Sequence, residues 1–115
     1  MPTIQARFQR KDKFGHLRFT VSAKKYAASF DTLKNVYDKI RTMGAGYMPV
    51  YILDTHASIT FKNKMPSEPI EGAVYTVTFD VKKIISDGKT YINCFISNAS
   101  LLHTDDVVTS EVIEF

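Results

Sequence analysis

Ile4, Ala6 and Phe8 alternate with Gln5, Arg7 and Gln9, and Leu17, Phe19 and Val21 alternate with Arg18, Thr20 and Ser22. A period of two belongs to a strand with one buried and one wet face, so both runs predict half-buried strands. Between them lies a basic turn, Arg10-Lys11-Asp12-Lys13-Phe14-Gly15-His16. From Asp31 the period changes. Leu33, Val36, Tyr37, Ile40 and Met43 fall at helical spacings, with Ser29 or Asp31 as N-cap and Gly44 or Gly46 as terminator. Val50 to Leu53 and Ala57 to Lys62 then predict a strand pair around Asp54-Thr55-His56, and Pro49 sits at a strand start, where a missing donor is tolerated. Residues 63–72, rich in Pro and charge, read as a loop. The clearest hairpin follows: Tyr75, Val77, Phe79 and Val81 alternate with polar positions, Asp87-Gly88 supplies the positive φ of a tight turn, and Tyr91 to Ser97 returns.

About six strands and one helix predict a mainly β domain, a small antiparallel barrel or strongly curved sheet closed by the helix. An OB-fold fits that inventory. Its usual order places the helix after the third strand, whereas only two strands precede Asp31 here. Either the stretch from Arg10 to Ala28 hides a strand, or the topology is a variant. Residues 1–104 form the expected domain and residues 105–115 a C-terminal tail, with Val107 to Phe115 either extended or a last edge strand.

Composition narrows the partners. A chain of 115 residues, 44% hydrophobic and with 14 Phe and Tyr, suits one self-folding domain. Its net charge of +3 hides a strong asymmetry. Residues 1–41 hold ten Lys/Arg against three Asp/Glu, residues 42–100 five against five, and residues 101–115 none against four. The basic end points to polyanionic partners. One cysteine, Cys94, excludes an internal disulfide and a Cys cluster, and no apolar run is long enough for a signal peptide or a membrane span. The expectation is an intracellular, cytoplasmic protein of a bacterium or an infected host.

Catalysis finds little support. His16, His56 and His103 lie far apart in sequence, and no phosphate loop, nucleophile elbow or metal-binding motif occurs, so neither a catalytic centre, nor a cofactor, nor a metal is expected. Asp54 and His56 read as a turn, Cys94 as a small buried hydrophobe between Ile92 and Ile96, and Gly44-Ala45-Gly46 as a helix terminus.

A nucleic-acid reading draws on many positions at once. Sequence-tolerant binding of a single strand requires cations along a groove for phosphates and flat aromatic faces between them for bases. Arg7, Arg10, Lys11, Lys13, Phe14, His16 and Arg18 mix the two around the first turn, and Lys24, Lys25 and Tyr26 follow. In the last hairpin Tyr91 and Phe95 fall on the face opposite Ile92, Cys94 and Ile96. Lys62, Lys64, Lys82 and Lys83 extend the candidate groove. Phe8, Phe19, Phe61 and Phe79 are assigned to the core.

A basic, aromatic-studded body followed by Asp105, Asp106, Glu111, Glu114 and a terminal Phe115 resembles the compact single-stranded-DNA-binding proteins of phages. That resemblance implies a non-catalytic protein that coats single-stranded DNA, or RNA, in viral replication or recombination. It also implies a tail that recruits replication proteins and competes with DNA for the groove. Homo-oligomerisation is left open. The alternative is a small phage-encoded interaction module, an inhibitor whose basic patch docks on an acidic host enzyme.

Overall fold

A computed structural model describes residues 1–63, 65 and 67–103. Six strands and one helix occur in the order β1 (Thr3–Lys11), β2 (Leu17–Ser22), α1 (Ala27–Arg41), β3 (Val50–Ile52), β4 (His56–Phe61), β5 (Val74–Ser86) and β6 (Lys89–His103). The alternation seen in the sequence becomes an inside and an outside. Ile4, Ala6 and Phe8 of β1, Leu17, Phe19 and Val21 of β2, and Ala57, Ile59 and Phe61 of β4 are all buried.

Five strands close into a ring, β1–β2–β4–β6–β5, with β5 returning to β1. Neighbours are antiparallel except β4 and β6, which meet in parallel at Phe61 and Cys94. This closed barrel is compatible with an OB-like fold. The β4–β6 seam is short and is extended by a side chain: the Asn63 amide donates to the Ile96 carbonyl and accepts the Ile96 N–H, each at 2.7 Å. Asn63 thus does for Ile96 what a strand neighbour would. The short β3 adds to the other edge of β4, from Val50 opposite Ile59 to Ile52 opposite Ala57.

The topology is the variant one. No strand lies between Ser22 and Ala27, and α1 precedes the third barrel strand, β4, instead of following it. The helix also begins before the expected Ser29 or Asp31. Ser29 is buried inside it, accepting the Gln5 N–H at 2.8 Å and donating to the Gln5 side chain at 3.0 Å, so a tertiary contact takes the hydroxyl that a cap would use. Leu33, Val36 and Ile40 form its buried stripe. Met43 falls outside the helix and is exposed, and Gly44, at φ +72°, turns the chain away.

Inside the barrel the assigned core phenylalanines are buried and form an edge-to-face series. Phe8 meets Phe19 at 5.4 Å, Phe19 meets Phe61 at 5.5 Å, and Phe61 meets Phe79 at 5.3 Å. Each such pair contributes roughly 0.5–1.5 kcal/mol beyond its buried area. The last hairpin is longer than the alternation indicates. Lys82 to Ser86 and their partners up to Lys89 run past the core as a two-stranded arm, closed by Asp87 at φ +52° and Gly88 at φ +75°. Among the described residues no helix is long and apolar enough to cross a membrane.

Candidate nucleic-acid interface

Because the inward positions of the ring are mostly apolar, with Cys94 and Tyr75 buried among them, the charged groups on the strands sit outward. On β1, β2 and β4 these outward side chains form registered rows. Arg7 lies opposite Thr20, Thr20 opposite Ser58, Arg18 opposite Thr60, and Ser22 opposite His56. None of the three strands contains an Asp or Glu. Their joint face is cationic and hydroxyl-bearing without an acidic counterweight of its own.

Arg18 shows the consequence. It is half-buried, and its Nη2 reaches the Ser58 hydroxyl at 3.4 Å. Its Nε is buried with no hydrogen-bond partner, and no carboxylate pairs with it among the described residues. A bulge after Phe8 brings Arg10 directly opposite Arg18, setting two like charges across the ladder.

A cleft opens at each end of this face. At the Ser22 and His56 end, a cleft of about 160 Å³ is lined by Arg7, Thr20, Ser22, Lys25, Tyr26 and His56. Lys25 and Tyr26 come from the turn before α1, which Ser22 fixes by accepting the Lys25 N–H on its hydroxyl and the Tyr26 N–H on its carbonyl. At the opposite end, where β2 begins and β4 finishes, a larger cleft of about 380 Å³ is lined by Asp12, Phe14, His16, Tyr47 and Lys62. Six ladder residues separate the two, on the order of 17–20 Å at the usual strand rise.

The second cleft is built on an Asx turn. One Asp12 carboxylate oxygen accepts the N–H groups of Phe14 and His16, both at 2.9 Å, and Gly15 takes φ +82°. Partial desolvation pushes the Asp12 carboxyl up, but the backbone N–H donors of His16 and Phe14 and the charges of His16 and Arg10 outweigh it and hold the pKa below the ordinary value. The turn displays Phe14 at 71% exposure, with the Lys13 ammonium 5.1 Å from its ring centroid. Across the cleft stands Tyr47, bonded to Thr60 and carrying the Lys62 ammonium 5.7 Å from its ring centroid. Desolvation raises the Tyr47 pKa, so the phenol stays neutral and can stack or donate.

Lys62 and Phe95 each follow one member of the Phe61–Cys94 bridge, so both point outward at the seam. The surface therefore continues onto the arm, where Lys82 lies 5.4 Å from the Phe95 ring centroid and Ile84 lies opposite the exposed Tyr91. Comparison with protein-family models, curated proteins and solved structures finds no match. What the surface does is read from its own groups.

Of the residues singled out in sequence, the fold brings together Arg7, Arg10, Lys13, Phe14, Arg18, Lys25, Tyr26, Lys62 and, along the seam and arm, Phe95 and Tyr91. Lys11 is occupied by an ion pair with Glu68 at 2.8 Å. Lys24 is exposed in the turn but does not line the cleft. Lys64 and the tail residues Asp105, Asp106, Glu111, Glu114 and Phe115 lie outside the described residues. Sequence reading missed Tyr47, Tyr51 beside Ser58, His56, and the hydroxyl row Thr20, Ser22, Ser58 and Thr60. The hydroxyls carried a signal, since they occupy the polar phase of the same alternation that exposes Arg18.

Proposed function

We propose that this chain is a non-catalytic single-stranded-DNA-binding protein that coats strands during replication or recombination. The observation that carries the reading is the carboxylate-free, arginine-bearing face of β1, β2 and β4, bounded at one end by Phe14 and Tyr47 and at the other by Tyr26. Small barrels of this kind bind oligonucleotides on the corresponding face, flanked by the loop joining strands 1 and 2 and the loop joining strands 4 and 5. Here those loops are the Asp12 to His16 turn and the arm. Arg7, Arg18, Lys25 and Lys62 would meet phosphates and release counterions, while the ring of Phe14, and of Tyr91 on the arm, takes bases at about 1–3 kcal/mol each. Selection of single strands follows from the rings, because duplex bases present no open face to stack on.

Fluorescence anisotropy with labelled oligo-dT, a matching RNA and a duplex, each over a range of salt, tests the reading. Single strands are expected to bind more tightly than duplex, with log affinity linear in log salt and a slope of about −0.7 per phosphate contacted. Salt-insensitive or absent binding at low salt rejects it. The interaction-module reading would then take its place, drawing on the arm, whose Ile84 and Ile85 are exposed.

A further inference from the structure

At the end of the face where β2 begins and β4 finishes, we infer that the cleft between Phe14 and Tyr47 seats one nucleobase, and that Asp12 selects bases carrying an exocyclic amine over thymine and uracil. The inference deepens the single-strand reading and rests on it for the source of the base. Its chemistry comes from the cleft's own groups. Two rings, Phe14 on the turn and Tyr47 after α1, stand with the Asp12 carboxylate, the His16 imidazole and the Lys62 ammonium. At about 380 Å³ the cleft exceeds the ~300 Å³ at which small-molecule pockets begin, so a flat ring system has room. Phe14 is 71% exposed and Tyr47 38%, and a base laid against them removes apolar area from water.

Stacking alone would leave the cleft indifferent to sequence. Asp12 changes that. An ionised carboxylate is purely an acceptor, with about four lone-pair sites on its two oxygens. Oδ1 takes the N–H groups of Phe14 and His16. Oδ2 faces His16 Nδ1 at 3.6 Å, longer than a hydrogen bond, which leaves its lone pairs open. An open acceptor at the wall of a base cleft attracts N–H donors and repels carbonyl oxygens. Cytosine, adenine and guanine each present an amine; where cytosine has its amine, thymine and uracil have a carbonyl.

A carboxylate set against a polyanion needs compensation, and the surroundings supply it. Lys13 lies 5.1 Å from the Phe14 ring centroid, Lys62 lies 5.7 Å from that of Tyr47, and the charge of Arg10 acts on Asp12 itself. The ladder then continues the path of the strand. Arg10 is opposite Arg18, Arg18 is opposite Thr60, and Thr60 bonds Tyr47. A base in the cleft leaves its phosphate beside two guanidiniums.

The test is an NMR titration with uncharged nucleosides, deoxycytidine against deoxyuridine, that follows the amides of Phe14 and His16 and the ring signals of Tyr47. Lacking a phosphate, these ligands report on the cleft whether or not strands bind. Deoxycytidine is expected to saturate about tenfold more tightly than deoxyuridine. A deoxycytidine dimethylated on its amine keeps the ring, loses both donors and should bind no better than deoxyuridine. Asp12→Asn, which keeps an oxygen for the two turn N–H groups and replaces Oδ2 by a donor, should abolish or reverse the preference with a native spectrum. Phe14→Ala should lose the movement with every nucleoside. No saturable movement, or equal affinity for all three nucleosides, overturns the inference. Anisotropy with oligo-dC and oligo-dU of one length separates its failure from that of the broader reading. If both bind equally, base selection is wrong and strand binding survives; if the nucleosides are selected and no oligonucleotide binds, the cleft survives and strand binding fails.

Discussion

Arg18→Met separates a residue kept for folding from one kept for a ligand. In the free protein Arg18 stands opposite Arg10, a like-charge pair that costs roughly 0.2–1 kcal/mol across a ladder. Its buried Nε lacks a partner, which costs about 1–3 kcal/mol for a fully buried group and the lower end of that range for a half-buried side chain. Methionine keeps most of the aliphatic stem, removes both penalties and gives up only the long 3.4 Å bond to Ser58. The balance is a gain of about 1 kcal/mol, or roughly 4 °C in Tm for a domain of this size.

Binding should move the other way. Losing a charge-assisted contact to a phosphate costs about 1.5–3 kcal/mol, roughly ten- to a hundredfold in affinity. It also removes about 0.7 from the salt slope, so a fourfold rise in salt narrows the gap between wild type and variant by about 2.6-fold. Thermal melting and anisotropy on the same preparations measure both. A variant that melts lower than wild type would make Arg18 structural, and an unchanged slope would take it off the strand path; either result refutes the reasoning.

Phe14→Ala should weaken oligo-dT binding by about 1–3 kcal/mol with Tm and salt slope unchanged, because the exposed ring neutralises no phosphate; a lowered Tm would show that it packs instead. Lys11→Gln should flatten the slope less than Arg18→Met does, since Lys11 already pairs with Glu68; equal flattening would show that Glu68 releases it on binding. Cys94, whose thiol burial pushes up to about 12, should resist a disulfide reagent at pH 8 until the protein unfolds, and fast labelling of the native state would contradict the packing. The Asp12 turn draws on an ionised carboxylate whose folded pKa is lowered, so its stabilisation is present above the ordinary value of 3.8 and is lost as pH falls through a value below it. The Phe14 and His16 amide shifts should report a midpoint under 3.8, and one above it would refute the turn's role.

The barrel strands were legible because each carries its own alternation, and the Phe core because aromatics fell on the buried phase of it. The turn at Asp87-Gly88 was legible from two residues. The helix start was not: Ser29 has the residue type of a cap, but Gln5, distant in sequence, claims its hydroxyl. The arm was underestimated because Lys82 to Ser86 extend past the core, where nothing imposes a buried phase on the sequence. Phe14 and the arginines were legible as local clusters. Tyr47 and His56 were not, because what places them on the face is the pairing of β4 with β2, across residues 23–55.

That long excursion explains how a small barrel acquires clefts. It leaves β2 at Ser22 and returns to β4 at His56, which are registered partners, and the Ala23 N–H still reaches the Thr55 carbonyl at 2.9 Å. β2 and β4 are thus a hairpin whose turn has been expanded to about 33 residues; relative to a four-residue turn the added closure entropy is only about 2 kcal/mol, since the cost grows with the logarithm of length. Burying Leu33, Val36, Ile40 and Val50, at roughly 1.5–3 kcal/mol each, offsets that several times over. The excursion supplies Lys25 and Tyr26 to one cleft and Tyr47 to the other, while the strands beneath supply Arg7, Thr20 and Ser22. Barrel closure determines where cations lie on the face, and the inserted segment determines which parts of a ligand can be gripped at its ends.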